Sequence, residues 1–333
     1  MANTHNLFQS YNAVIKLDGD RRGILKEKRD NLRKRIKNGF SELKSVRFFA
    51  ESLNTQVEEE IEFQSQGSYV MDTIINPSKK DDEYDIDDGV YFIGTRNRSQ
   101  RPEPHQFHQF VIESIKKGRG ENEIEEIKDK NTCVRVRYKG RNGDFNYHVD
   151  LPIYYAISVR EPDLADTKEW WHTSNPIEFI VWFEELIQSG FKAEYILESR
   201  LYEKEYDQWL NDRRKKDHQL RRIVRYLKAW GDHIKGEMLP GVVMTILAGS
   251  DSNYQEHERD DICLRNTLVN ISNWLSNNGF KCPRPTTPQG EDLFKEYSQA
   301  KKDYFKNALD KFIDSANKAI SSDGLTTKNR TKS

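Results

Sequence analysis

The sequence predicts an α+β protein in two parts, a strand-bearing N-terminal half followed by a mostly helical C-terminal half. Three observations lead there. Short apolar alternations bounded by turn residues recur between residues 57 and 156, the period of half-buried strands. After about Arg160 apolar residues instead fall three and four apart, the helical period. A length of 333 residues suits about two domains at the usual ~100 to 200 residues each. The chain is only 35% hydrophobic, yet its 6 Trp, 15 Tyr and 16 Phe supply enough apolar surface for packed cores, which excludes wholesale disorder.

The elements follow in order. Ile24, Leu25, Leu32, Ile36, Phe40, Leu43 and Val46 predict one long amphipathic helix from Arg21 to about Val46. Val57 to Gly67 reads as a strand running into a Gly-Ser turn, and Asp85 to Ile93 as a second strand. Phe107 to Lys117 reads as a helix. Cys133 to Tyr138 and Asn146 to Ala156 predict two strands paired as a hairpin across the polar stretch from Lys139 to Asp144. In the second half, helices are expected over Pro176–Ile187, behind an Asn175-Pro176 cap, and over Gln219–Trp230, Pro240–Gly249, Asp261–Asn277 and Glu291 to about Ser321. Cys282–Gly290 reads as a connector. The expected domains are 1–165, 166–320 and a flexible tail, 321–333.

Charge narrows the function. The 53 Lys+Arg nearly cancel 54 Asp+Glu, so the chain has no global attraction to nucleic acid or to an anionic membrane. No stretch approaches the ~20 apolar residues of a membrane span, and the N-terminus lacks the layout of a signal peptide. A cytoplasmic protein with no membrane partner is expected. Cys133, Cys263 and Cys282 are odd in number and form no CxxC pair, which predicts three reduced thiols and neither a disulfide framework nor a thiolate zinc site.

The segment from Gln66 to Phe92 carries the chemistry. A Gly-Ser turn after a strand offers backbone N–H groups and a hydroxyl to phosphate. Asp85 and Asp87 are two apart on a strand and project to one face, where both can share metal ions. Asp150, inside the later strand, is the natural third carboxylate for a two-metal site in which one ion binds a triphosphate and the other activates an attacking hydroxyl. An EF-hand is excluded: with Gly89 sixth, Tyr84 would be first and Thr95 twelfth, where Asp and Glu are required. Elsewhere Arg221, Arg222, Arg225 and Lys228 recur at three-residue steps, a pattern that fits a solvated basic face as well as a phosphate site. Trp170, Trp171, Trp182 and Trp230 are expected to be core anchors, and His105 and His108 ordinary residues near a helix start. Arg135 and Arg137 could face a triphosphate or only solvent.

Gln66-Gly67-Ser68, Thr73, Pro77 and the run Tyr84-Asp85-Ile86-Asp87-Asp88-Gly89-Val90 resemble the signature of bacterial cGAS/DncV-like nucleotidyltransferases. These are the CD-NTases of antiphage (CBASS) signalling, within the polymerase-beta-like nucleotidyltransferase superfamily. Arg221–Trp230, Gly241–Ala248 and Pro285–Leu293 match further along, in the family's order. The resemblance implies a palm-like nucleotidyltransferase lobe packed on a helical lobe, with the active site in the cleft between. It implies synthesis of a cyclic di- or trinucleotide second messenger from NTPs, ATP and/or GTP foremost, the product acting on a separate effector. Asp85, Asp87 and Asp150 would be the catalytic, metal-holding carboxylates for two Mg2+ ions, with Mn2+ as a substitute. Gln66, Gly67, Ser68, Lys228 and Thr245 would contact nucleotide. Nucleotide transfer to RNA or protein, and a catalytically silent nucleotide- or RNA-binding module, are the alternatives. Neither a zinc requirement nor a nucleic-acid activator is expected; a regulatory protein partner is compatible with the sequence.

Overall fold

The computed structural model describes residues 2–45, 60–118, 123–141, 143–158, 161–188, 203–250 and 253–321. Of the sequence expectations, Val46, Val57 and the tail beyond Ser321 lie outside these residues. In chain order the first elements are α1 (His5–Ile15), α2 (Gly19–Ser45), β1 (Glu60–Gln66), the single-turn α3 (Gly67–Val70), β2 (Tyr84–Ile93) and α4 (Pro104–Lys117). Then come β3 (Ile124–Asp129), β4 (Cys133–Tyr138), β5 (Tyr147–Ala156), β6 (Asp163–Asp166) and β7 (Trp170–Thr173). The remainder is helical: α5 (Pro176–Ile187), α6 (Glu203–Lys215), α7 (Gln219–Ile234), α8 (Gly241–Gly249), α9 (Asp260–Asn277) and α10 (Gln299–Ser321). This is the α+β class expected, with α1, β3, β6, β7 and α6 added to it.

The chain divides into two compact units, one of residues 17–215 with 286–288, the other of 1–16, 216–285 and 289–333. The boundary expected near residue 165 therefore falls inside the first unit, because β6, β7 and α5 continue it, and the first 16 residues belong with the C-terminal helices.

In the strand-bearing unit the sheet order is β1-β2-β5-β4-β3, with β6 added on β5 and β7 on β6. β2 and β5 run parallel and the other pairs antiparallel, including the expected β4–β5 hairpin. Strand alternation divides β2 between two faces. Ile86, Val90 and Phe92 are buried on one, beside Val149, Leu151, Ile153 and Tyr155 of β5. Phe92 meets Phe107 of α4 edge-on at 4.8 Å and Phe40 of α2 at 6.2 Å, and Phe107 meets Tyr155 at 6.0 Å. Leu25, Leu32, Ile36, Phe40 and Leu43 of α2 are all buried, as their spacing predicts. The α2–α4 approach requires a glycine: a Cβ on Gly39 would sit 2.0 Å from the Ser114 carbonyl oxygen. Asp88 is fully buried on this inner face. It accepts hydrogen bonds from Arg33 and from the Ser65 hydroxyl, the latter at 2.9 Å.

The helical unit corrects the reading of α7 as a solvated basic face. Arg221 and Arg225 are buried, because α7 is enclosed by α1 and α9. Arg222 forks Asp260 with two bonds of 2.7 Å, and Arg225 donates to Asn12 at 2.9 Å and pairs with Asp217. Burial pushes the Asp260 carboxyl up, but Arg222, Gln219 and Tyr226 outweigh it and hold the group below the usual carboxylate range. Trp230 packs against Phe312 at 5.0 Å and Phe305 at 5.9 Å, and in the other unit Trp171 packs on Phe107 and Tyr155. Trp171 is a core anchor and Trp230 is half-buried; Trp170, 44% exposed, is not an anchor, since it is placed opposite Asp166 at the end of an edge hairpin. Helix α10 starts at Gln299, later than expected, because the Asp292 carboxylate accepts the Cys282 and Phe294 N–H groups and holds a turn there. All three cysteines are buried and unpaired, with burial pushing each thiol up to about 12.

Candidate functional site

The site lies on the outer face of the same sheet. Alternation sends Asp85 and Asp87 of β2 to the face opposite Ile86 and Asp88. The parallel β2–β5 pairing sets Asp85 opposite His148 and Asp87 opposite Asp150, so a carboxylate 63 residues downstream arrives beside the first two. Ligand atoms of Asp85, His148 and Asp150 lie within 4.8 Å of one another, close enough to share an ion. Asp87 is turned toward α3, where a Cβ on Gly67 would sit 2.3 Å from its Oδ2. Gly67 itself has φ +63, a conformation costly for any residue with a Cβ.

Neighbouring strands hold these groups. Arg135 of β4, in register with Asp150, donates from its Nε and a terminal nitrogen to the two Asp150 oxygens, each at 2.7 Å. A carboxylate offers about four lone-pair positions, so this fork leaves Asp150 able to bind a cation as well. Arg137 pairs with Glu83, whose Oε2 lies 2.9 Å from His148 Nδ1. Burial pushes the Glu83 carboxyl up, but Arg137 and then His148 hold it below the usual carboxylate range. His148 Nε2 lies 3.6 Å from Asp85 Oδ2 and 3.9 Å from Asp150 Oδ2, buried and without a hydrogen-bond partner among the described residues. Three carboxylates and an imidazole on one face form a donor set suited to divalent cations.

The remaining expected residues divide. Ser68 is the second residue of α3, partly exposed, after Gly67. Gln66 is buried, and its amide donates to the Tyr154 hydroxyl at 3.1 Å. Lys228 and Thr245 belong to the helical unit. Lys228 is partly exposed on α7 with its aliphatic end against α8, where a Cβ on Gly241 would lie 2.9 Å from its Cε. Thr245 is fully buried, and its hydroxyl donates to the Gly241 carbonyl at 2.8 Å. Its hydroxyl proton is thus engaged within its own helix.

Sequence reasoning passed over His148 and Glu83, and left Arg135 between a triphosphate and solvent, where the structure gives it Asp150 as partner. Period-two alternation was the available signal: His148 precedes Asp150 by two, as Asp85 precedes Asp87. His108 is a satisfied core histidine, buried with Nδ1 2.7 Å from Asp129, whereas His105 is exposed.

Comparison with known proteins follows the same lines. Residues 61–154 match the family model described as cyclic GMP-AMP synthase DncV-like, nucleotidyltransferase domain. A cyclic GMP-AMP synthase of Escherichia coli (strain TW11681) is 29% identical over 192 residues, 51% of this chain and 42% of that protein. One of Escherichia albertii is 24% identical over 232 residues, 68% and 44% of the two chains. The chain thus spans less than half the length of the curated relatives it matches. Among solved structures, the GTP-bound form of Vibrio cholerae DncV matches with a TM-score of 0.71 at 16% identity, over 97% of this chain and 92% of that one. The 3'-deoxy GTP-bound form of Escherichia coli DncV matches with 0.67 at 18% identity, over 97% and 93%. A Vibrio cholerae DncV mutant in complex with ATP, GTP and 5MTHFGLU2 matches with 0.68 at 16%, over 97% and 92%. These likenesses establish the fold, a mixed sheet with helices as in DncV.

Proposed function

Residues 61–154 form a DncV-like nucleotidyltransferase domain of the polymerase-beta-like superfamily, and on that footing we propose that the protein joins NTPs into a cyclic di- or trinucleotide by a Mg2+-dependent reaction. The observation that carries the reading is the register that sets Asp87 opposite Asp150 and Asp85 two residues away, beside the Gly67-Ser68 turn. In each transfer a ribose hydroxyl attacks the α-phosphorus of an NTP and pyrophosphate leaves; the last transfer closes the ring. Asp85, Asp87 and Asp150 hold the divalent cations, and Arg135 fixes the orientation of Asp150. Such cations, when bound, neutralise triphosphate charge and lower the pKa of the attacking hydroxyl. The Gly67 and Ser68 backbone N–H groups and the Ser68 hydroxyl orient the donor phosphates. The GTP and ATP held by the Vibrio cholerae relative favour purine nucleotides, and a second-messenger role in antiphage (CBASS) signalling fits a small cyclic product.

The test is incubation of purified protein with labelled ATP, GTP, CTP and UTP and Mg2+ or Mn2+, then phosphatase treatment and mass spectrometry, with Asp85→Asn and Asp87→Asn as controls. A phosphatase-resistant product absent from both controls is expected, and its mass gives ring size and bases. Product surviving in both controls, or transfer only to added RNA or protein, overturns the proposal. The same reading makes Lys228 a phosphate contact, so Lys228→Ala is expected to raise the KM for NTP about tenfold, the loss of one charged hydrogen bond.

A further inference from the structure

The metal face holds a nitrogen that the carboxylate reading does not use. His148 is 6% exposed. Its Nδ1 lies 2.9 Å from Glu83 Oε2, and Glu83 is an ionised acceptor already engaged by Arg137, so it has no proton to donate. The shared proton therefore sits on His148 Nδ1 and Glu83 accepts it. With Nδ1 given to Glu83, the ring position left over is Nε2, which is buried, lacks a hydrogen-bond partner among the described residues and is directed between Asp85 Oδ2 at 3.6 Å and Asp150 Oδ2 at 3.9 Å, the three groups close enough to share an ion. The Arg137–Glu83–His148 chain has the form of the carboxylate–histidine relays that fix ring orientation and tautomer behind a metal-bound imidazole. A buried ring nitrogen among carboxylate oxygens is costly unless a proton or a metal cation completes it, and the cluster has the spacing for the metal.

We propose that His148 Nε2 is a ligand of the catalytic metal centre, making one cation site a mixed nitrogen–oxygen site held by Asp85, His148 and Asp150. This rests on the reading of the aspartates as the metal-holding carboxylates. Its consequence is metal selectivity. An imidazole ligand favours first-row transition ions, least for Mn2+ and more for the later ones, whereas Mg2+ favours oxygen donors and retains its water. The protein therefore binds Mn2+ more tightly relative to Mg2+ than an all-oxygen site does, and Glu83 is a positioning residue that sets this preference through the ring.

The experiment measures Mn2+ binding to the full chain by the electron paramagnetic resonance of free Mn2+, repeated in competition with Mg2+, with pulsed spectra of the bound ion read for imidazole nitrogen coupling. Wild type shows nitrogen coupling. In His148→Gln, which substitutes an amide oxygen of similar reach, the coupling is lost, Mn2+ affinity falls about tenfold or more, and Mg2+ affinity changes far less. Glu83→Gln weakens Mn2+ binding about tenfold with the coupling retained. Asp85→Asn separates the two levels of inference. If Asp85→Asn abolishes Mn2+ binding while wild type shows no nitrogen coupling and His148→Gln keeps its Mn2+ affinity, the aspartate site stands and His148 is only a structural neighbour of it. If Asp85→Asn leaves Mn2+ binding intact, the reading beneath falls as well.

Discussion

Single residues in the run from Asp85 to Asp88 carry opposite duties because a strand turns successive side chains to opposite faces. Asp87 faces the Gly67 turn, while Asp88 is buried under α2 with Arg33 and Ser65. Replacing Asp88 by Ala leaves Arg33 without its partner, and breaking a buried pair costs about 3 kcal/mol or more; the urea midpoint is expected to fall accordingly, whereas Asp87→Asn removes activity with little change in that midpoint. Gly67→Ala should be more damaging to activity than to folding. An alanine at φ +63 costs about 1–2 kcal/mol, and its Cβ displaces the Asp87 carboxylate, so turnover should drop about a hundredfold. A Gly67→Ala enzyme with wild-type kcat would refute this role for the turn. Thr245→Val is the converse: the hydroxyl serves only its own helix, so about 1 kcal/mol of stability is lost and the KM for ATP and GTP remains within about twofold of wild type.

Elements differ in how far local sequence prescribes them. Helix α2 and the β4–β5 hairpin were legible because their information is local, an apolar period in one case and a short polar connection in the other. The short strands β6 and β7 were not, since four residues each are too few for a period to register, and the pairing of β6 with β5 and of β7 with β6 supplies what their own sequence does not. Helix α1 was missed although Leu7, Phe8, Tyr11, Val14 and Ile15 keep helical spacing, because the pattern is short. In α7 the three-residue spacing of basic residues described the helix correctly and its environment wrongly. Whether a basic stripe meets water or Asp217 and Asp260 depends on what packs over it: α9 brings Asp260 and α1 brings Asn12, while Asp217 comes from the segment just before α7.

At the scale of the molecule, carboxylates engaged by arginine tie distant segments together. Glu83 with Arg137, Asp163 with Arg98 and Arg101, Asp260 with Arg222, and Asp261 with Arg259 and Thr4 each lie below the usual carboxylate range, the bonds outweighing a burial effect that acts the other way. A depressed folded-state pKa stabilises the fold above the ordinary carboxylate value of about 4 and ceases to do so as pH falls through the folded value. Thermal midpoints are expected to hold level from pH 7 to about 5 and to drop below about 4. The drop should be shallower in Asp261→Asn, and an equal slope in that variant would count against this cause. The sequence by itself determined the fold class, the strands that carry Asp85, Asp87 and Asp150, and the glycine-serine turn, because alternation and turn chemistry act within a few residues. Only the tertiary structure decided that β2 and β5 lie side by side in parallel. It also decided that Arg135 and His148 join the aspartates. Pairing across more than fifty intervening residues is set by which register buries the most apolar surface over the whole sheet, a quantity that no local window contains.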